Sequence, residues 1–160
     1  MRRLIPTVLV VVTAGAVAPT AFAESPHFIG VPGCTKSLST GLTCSGKAAG
    51  LGNGPTEAFL TAASVEATYV CVNHGENIAP GQPIVEKTVE GPRQEIKPHN
   101  GAIKFSPTIG VPTPPNAKDE CPSAKWTVRL TSLTYTSVAL HIQQPPGTDV
   151  LTREFGTIDP

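Results

Sequence analysis

Apolar and polar residues alternate with a period of two along much of this chain. Val65, Ala67, Tyr69 and Cys71 fall on one side of an extended segment, with Glu66 and Thr68 on the other. A strand buried on one face reads this way, because successive side chains point to opposite faces. Trp126, Val128 and Leu130 alternate in the same manner with Thr127, Arg129 and Thr131. The apolar phase then moves to Leu133 and Tyr135, which predicts a β-bulge. Val138, Leu140 and Ile142 make the next apolar face, and His141 and Gln143 should point into solvent.

Shorter runs surround these. Leu42–Ala48 and Glu57–Ala63 read as strands, separated by the break Gly50–Pro55. Ile84–Glu90 reads as an edge strand, since it carries Glu86, Lys87 and Glu90. Ala102–Ser106 has Ile103 and Phe105 on one face, after the turn signal His99-Asn100-Gly101. Asp149–Phe155 is the last strand, after the turn Pro145-Pro146-Gly147. Glu24–Gly33 and the Pro-rich stretch from Ile109 to Pro122 read as irregular. Glu57–Val70 has a helix-compatible composition, but its β-branched residues and flanking Gly and Pro favour extended chain. The result is about eight strands and no convincing helix. The fold class expected is all-β: an immunoglobulin-like β-sandwich of about 7–9 antiparallel strands, with a small barrel as the alternative. Trp126 is expected in its core.

Residues 1–23 change the picture of what is exported. Arg2 and Arg3, the apolar stretch Leu4–Ala18 and the small residues Ala21-Phe22-Ala23 read as a secretory signal peptide. A single β-sandwich domain would then occupy 24–160 and be secreted. Of the 12 Lys+Arg, Arg2 and Arg3 would be removed, leaving ten against 12 Asp+Glu, a net of −2. That balance argues against a polybasic nucleic-acid or anionic-membrane binder. No later apolar run approaches the ~18–20 residues that span a bilayer. The 15 Gly and 17 Pro fit many turns between short strands.

Cys34, Cys44, Cys71 and Cys121 are an even set in an exported chain, so two disulfides are expected. Three pairings are possible. Cys34–Cys44 with Cys71–Cys121 is favoured: the first closes a short local loop, the second ties a central strand to the start of the last strands. Zinc is disfavoured, since no Cys-x-x-Cys spacing occurs.

Candidate chemistry is sparse. The glycines of Gly50-x-Gly52-x-Gly54 would cradle phosphate only at a helix N-terminus, and Pro55 with the β-like run after it disfavours one. His74 and Glu76, with His99 or His141, could ligate a metal, but no metal-type spacing supports it. Paired carboxylates for glycosidic cleavage would have to come from Glu57, Glu66, Glu86, Glu90 or Glu95, whose alternation already explains them as outward charges. Gly-x-Ser-x-Gly is missing. Pro112-Thr113-Pro114-Pro115 reads as a stiff connecting loop rather than a recognised polyproline segment. No enzyme, cofactor or metal is expected. The polar loop Asn73, His74, Glu76 and Asn77 is the candidate interaction site, with Gly50–Pro55 and Ile109–Pro122 as further candidate surfaces.

Two resemblances follow from particular residues. His27-Phe28 before Cys34, Leu42–Asn53 ending in Gly50-Leu51-Gly52-Asn53, Cys71-Val72-Asn73 with its polar loop, and the Trp126 strand together resemble small secreted actinobacterial proteins of unknown function. That resemblance covers most of residues 24–160 and implies no established activity. Leu42-Thr43-Cys44-Ser45-Gly46 followed by Gly50-Leu51 is similar to the apoproteins of the enediyne chromoprotein antibiotics over about a quarter of the chain. It implies an immunoglobulin-like fold with two disulfides. The closely spaced second cysteine pair of that family is absent here, so its ligand-pocket residues are not carried over. The function expected is a secreted, non-catalytic structural or interaction module, expected as a monomer. Its partner would be extracellular or on a cell surface. A small-ligand carrier with an apolar cleft is the alternative, and a hydrolase the third reading.

Overall fold

The computed structural model describes residues 25–159. The expected signal peptide, 1–23, lies outside them. In chain order the strands are β1 (His27–Phe28), β2 (Gly33–Ser37), β3 (Gly41–Ala49), β4 (Thr56–Val72), β5 (Ile78–Pro80), β6 (Ile84–Glu90), β7 (Gln94–Ile96), β8 (Ile103–Phe105), β9 (Thr108–Ile109), β10 (Thr127–Gln143) and β11 (Asp149–Ile158). All pairings are antiparallel, and the strands form two sheets. The larger has β11, β10 and β4 side by side, with β5, β6 and β7 following one another along the free side of β4. Pro83 and Pro92, which donate no hydrogen bond, fall at the two gaps in that edge row. In the smaller sheet β3 is central, flanked by β1 and β2 on one side and by β8 and β9 on the other. Four rows therefore face three, an all-β sandwich. The expected strand number holds for rows, although short segments raise the count to eleven among the described residues.

Glu57–Ala63 and Val65–Asn73, read as separate runs, are one strand, and so are the pieces at Trp126 and Val138. The reason is a reversal of side-chain phase at one level of the sheet. Buried positions on β4 pass from Ala58, Leu60 and Ala62 to Val65, Ala67 and Tyr69. On β10 they pass from Leu133 and Tyr135 to Val138, Leu140 and Ile142. Thr88 of β6 (φ 53°), Ser137 of β10 (φ 51°) and Gly156 of β11 (φ 70°) are left-handed at this level, where the ladders skip Ala63. The sheet bends there, and both halves keep their apolar side towards one core. The expected bulge between Leu130 and Leu133 is present as a register shift between Leu130 and Ser132. Asn100 (φ 51°) and Gly101 (φ 71°) make the expected tight turn, closed by the His99–Ala102 bridge.

The core lies between the sheets. Leu42, Ile103, Phe105 and Ile109 of the smaller sheet meet Leu60, Val65, Leu133, Tyr135, Leu140 and Ile142 of the larger. Two tyrosines cross the sandwich to the Pro-rich segment. Tyr69 Oη donates to Pro112 O at 2.7 Å, and Tyr135 Oη to Gly110 O at 3.1 Å and Ile109 O at 3.3 Å. Tyr135, not Trp126, is the central aromatic. Trp126 is half-buried ahead of β10, where its backbone N–H donates to Ser123 O. Three further readings are corrected. Residues 27–28 pair with Ala48 and Ala49 rather than forming irregular lead-in. Thr108–Ile109 is a short strand. Ala117–Glu120 is a single helical turn, α1, capped by Asn116, whose Oδ1 accepts the Lys118 N–H.

Both disulfides pair as expected. Cys34 and Cys44 are direct ladder partners on β2 and β3, with Cα atoms 4.0 Å apart. Cys71 of β4, on the buried face as its alternation required, is joined to Cys121 at the end of α1. Two closed cystines fit an oxidising compartment. Among the described residues no helix is long and apolar enough to cross a membrane.

Candidate functional site

The turn from β4 to β5 is organised by one side chain. Asn73 Oδ1 accepts the N–H groups of Gly75 and Asn77, each at 2.9 Å, and Nδ2 of Asn77 at 3.3 Å. Asn73 N–H donates to Asn77 O, and Glu76, at φ 58°, donates its N–H to Asn73 O. Asn and Asp are favoured at such turns because the side chain satisfies nearby backbone donors. Asn73 and Asn77 are therefore committed to the turn. The side chains of His74 and Glu76 are exposed and make no hydrogen bond or ion pair with a described residue. Ile78, just beyond, is 60 % exposed. Cys71–Cys121 staples the same end of the sheet to α1.

The three candidate loops do not share an end. Gly50–Pro55 lies at the start of β4, some 17 residues of strand away from Asn73. Gln144 holds it there. Its Oε1 accepts the Gly52 N–H at 2.7 Å, and its Nε2 donates to Gly52 O, Gly54 O and Thr56 Oγ1. The Leu51 N–H is also taken, by Gly101 O. The loop is a braced turn. A shallow depression of about 570 Å³ beside it is lined by Asn53, Pro55, Glu57, Glu95 and Lys97.

A polar network, unseen in the pattern of the chain, covers the outer face of the larger sheet. Phe59 points outward yet is only 3 % exposed, because two side chains cover it. Arg93 lies over its ring at 4.0 Å, and the His141 ring stacks on it at 4.9 Å. Arg93 also donates to Glu57 (3.0 Å), Glu90 (2.8 Å) and Gln143 (2.9 Å), joining three rows. These hydrogen bonds, to Glu57 first and then Glu90, hold its guanidinium still more firmly protonated. Gln143 Nε2 continues to Asp149 Oδ1 at 2.9 Å. His141, expected as a plain surface histidine, is instead bracketed. Its Nδ1 is 2.9 Å from Asp149 Oδ2 and its Nε2 is 3.1 Å from Thr61 Oγ1. The available signal was the run Ala58-Phe59-Leu60, where an apolar residue breaks the alternation.

Asp149, His141 and Thr61 stand in the order orienter, base, hydroxyl that nucleophilic catalysis uses. Acyl transfer also needs donors aimed at an oxyanion. Thr61 sits in mid-sheet, laddered to Glu90 on one side and Ala139 on the other. Neither the depression above nor the one described below is lined by Thr61 or His141. The geometry is that of cross-strand bracing. The histidines weighed as metal ligands do not come together: His74 and His141 lie near opposite ends of the larger sheet, and His99 is in the turn before β8. Glu57 and Glu95 are direct ladder partners, with Glu57 held by Arg93. Among the described residues no group of three or more His, Cys, Asp and Glu is placed to hold a metal.

Burial pushes the Asp149 carboxyl up, but hydrogen bonds from His141 and Gln143, with the charges of His141 and Arg93, outweigh it and hold it below its ordinary value. The sign follows. A depressed carboxylate stabilises the fold above its unfolded value, near pH 4, and that contribution is lost as pH falls through the folded value. Asp149 is 41 % exposed, so the effect should be under about 1 kcal/mol. Denaturant unfolding at pH 7 and pH 3 should show a smaller acid-induced loss for Asp149→Asn than for the native chain. Equal losses would mean that the network does not keep this carboxylate ionised.

Fold and surface define a disulfide-stapled two-sheet β-sandwich with a rigid polar turn at one end and a braced outer face. Comparison with protein families, curated proteins and solved structures finds no match.

Proposed function

We propose that the chain is a secreted, non-catalytic interaction module that meets an extracellular or cell-surface partner through its Asn73–Asn77 end. One observation carries the reading. Asn73 spends its own hydrogen bonds on fixing the turn, which leaves His74 and Glu76 presented without internal partners beside exposed Ile78. Functional groups on a loop held by a rigid scaffold suit recognition, since little conformational freedom is lost on contact. Secretion is supported by the two cystines and by the signal-like residues 1–23. A cleft between the sheets is not part of this reading, because Tyr135, Leu42, Leu60 and Leu140 fill that space.

The test is binding of labelled protein to intact producing cells. His74→Ala/Glu76→Ala removes the presented groups and leaves the turn. Asn73→Ala keeps them and loosens it. Each should weaken binding by about tenfold, equivalent to about 1.4 kcal/mol, with the double variant unchanged in melting temperature. Binding that survives both variants would place the contact elsewhere. Binding no better than that of an unrelated β-sandwich would end the module reading itself.

A further inference from the structure

The sandwich is electrically divided in a way that a net charge conceals. No Asp or Glu occurs from Ser25 to Thr56 or from Ile96 to Lys118. Those two segments supply every strand of the smaller sheet. All acidic side chains among the described residues belong to the larger sheet and the segments attached to it. The smaller sheet contributes Lys36, Lys47 and Lys104. Lys36 is spent within the fold, donating to Leu133 O at 2.8 Å. The other two are exposed.

Lys47 of β3 and Lys104 of β8 are direct ladder partners. Opposite side chains on neighbouring strands have Cβ atoms about 5 Å apart, and like charges there repel. Neither amine, nor that of Lys97, makes an ion pair or hydrogen bond with a described residue. All three line a depression of about 390 Å³, with His99, Ile29 and Ile103. No acidic residue lines it. Glu95 is the nearest in sequence, two residues before Lys97, and lines the neighbouring depression. One wall is apolar and set in place: Ile29 donates its N–H to Lys47 O at 2.8 Å, yet remains 50 % exposed. Val31, in the same β1–β2 loop, is 77 % exposed.

We propose that this groove binds an anionic amphiphile, with a phosphate or carboxylate head between Lys47, Lys97 and Lys104 and an apolar body along Ile29. An anion there relieves the lysine repulsion and gains charge-assisted hydrogen bonds. An apolar wall with a few convergent polar groups is the usual composition of a small-ligand site, and the volume lies in the usual range of about 300–1,000 Å³. The occupant is a monomeric amphiphile rather than a bilayer or a polyanion. Three amines and one apolar wall around about 390 Å³ suit a single head and a single apolar body. The site does not rest on the Asn73–Asn77 reading, whose variants lie on the other sheet.

Isothermal titration of the disulfide-bonded protein tests it, with dodecyl phosphate and dodecanoate below their micellar concentrations. Dodecyl maltoside, inorganic phosphate and phosphatidylglycerol vesicles are the other arms. The two anionic amphiphiles should bind, and the maltoside and inorganic phosphate at least about tenfold more weakly. Lys47→Gln/Lys104→Gln should lower dodecyl phosphate affinity at least about tenfold, and Ile29→Ser should weaken dodecyl phosphate more than inorganic phosphate. Both lysines are exposed and mutually repelling, so the double variant should melt no lower than the native chain. Lys104→Glu, which pairs with Lys47 across the ladder, is a second folded variant that should abolish binding. Equal binding of the maltoside would reduce the site to an apolar surface. Insensitivity to the lysine variants, or binding to vesicles alone, would overturn the proposal.

Discussion

Tyr135→Ala should lower the unfolding free energy by about 3–5 kcal/mol, the range for removing a buried aromatic ring. Tyr135 is 0 % exposed and is the largest fully buried side chain. Its ring fills the space between the sheets, and its hydroxyl satisfies the carbonyls of Ile109 and Gly110. Tyr135→Phe keeps the ring and leaves those carbonyls without that donor, so about 1–2 kcal/mol should be lost. Urea unfolding followed through Trp126, the single tryptophan, measures both. A Phe variant as damaged as the Ala variant would mean that the hydroxyl, not the ring, dominates.

The same residue sets an alkaline limit. Burial pushes the Tyr135 phenol up to about 12, against a smaller opposing effect of a Leu42 backbone hydrogen bond. In the unfolded chain a phenol ionises near pH 10. A raised value means that the contribution is complete below about pH 10 and is lost as pH rises towards 12, on the order of 2–3 kcal/mol. Tyr69 is pushed in the same direction, by burial and then by Glu86. The contribution of Tyr135 is therefore the difference in alkaline slope between the native chain and Tyr135→Phe. Parallel slopes would show that this phenol is not the titrating group.

Cys71→Ala/Cys121→Ala should cost about 4 kcal/mol, because the bridge spans a sequence separation of 50 and constrains the unfolded chain strongly. Cys34→Ala/Cys44→Ala, with a separation of 10, should cost less, about 3 kcal/mol. Denaturant midpoints of the two double variants give the order. The longer bridge also holds α1 against the end of β4. Hydrogen exchange in Asn73–Asn77 should quicken without it and stay unchanged without the shorter bridge. The reverse order of stabilities would mean that native-state packing, rather than loop closure, sets the contribution of each bridge.

The longer strands, the bulge before Leu133, the Asn100-Gly101 turn and the charged edge at β6 were legible in the chain, because each depends on neighbours a few residues apart. The favoured disulfide pairing holds too: one bridge closes a short local loop, and the other ties a central strand to the start of the last strands. In the chain alone, the phase reversal at Ala63 reads as a break between strands. Its meaning depends on Thr88, Ser137 and Gly156 lying at the same level, which only register decides. Trp126 was misplaced for a related reason: a large aromatic at a strand start suggests a core, but facing layers choose which ring fills it.

Of the candidate interaction site, the sequence located the turn and its residues but not their roles. Asn73 and Asn77 build it; His74 and Glu76 are presented by it. The outer-face network was out of reach. Arg93 meets Phe59 and Gln143 only because β4 carries β6 and β7 on one side and β10 on the other. The lysine groove was hidden by a near-neutral sum, since addition along a chain erases the division between two sheets. Local periodicity determined this protein's class and its longer strands, and an even cysteine count its two cystines. Register and the facing of one sheet on another decided which side chains meet, because those contacts join residues with no short-range relation in the chain.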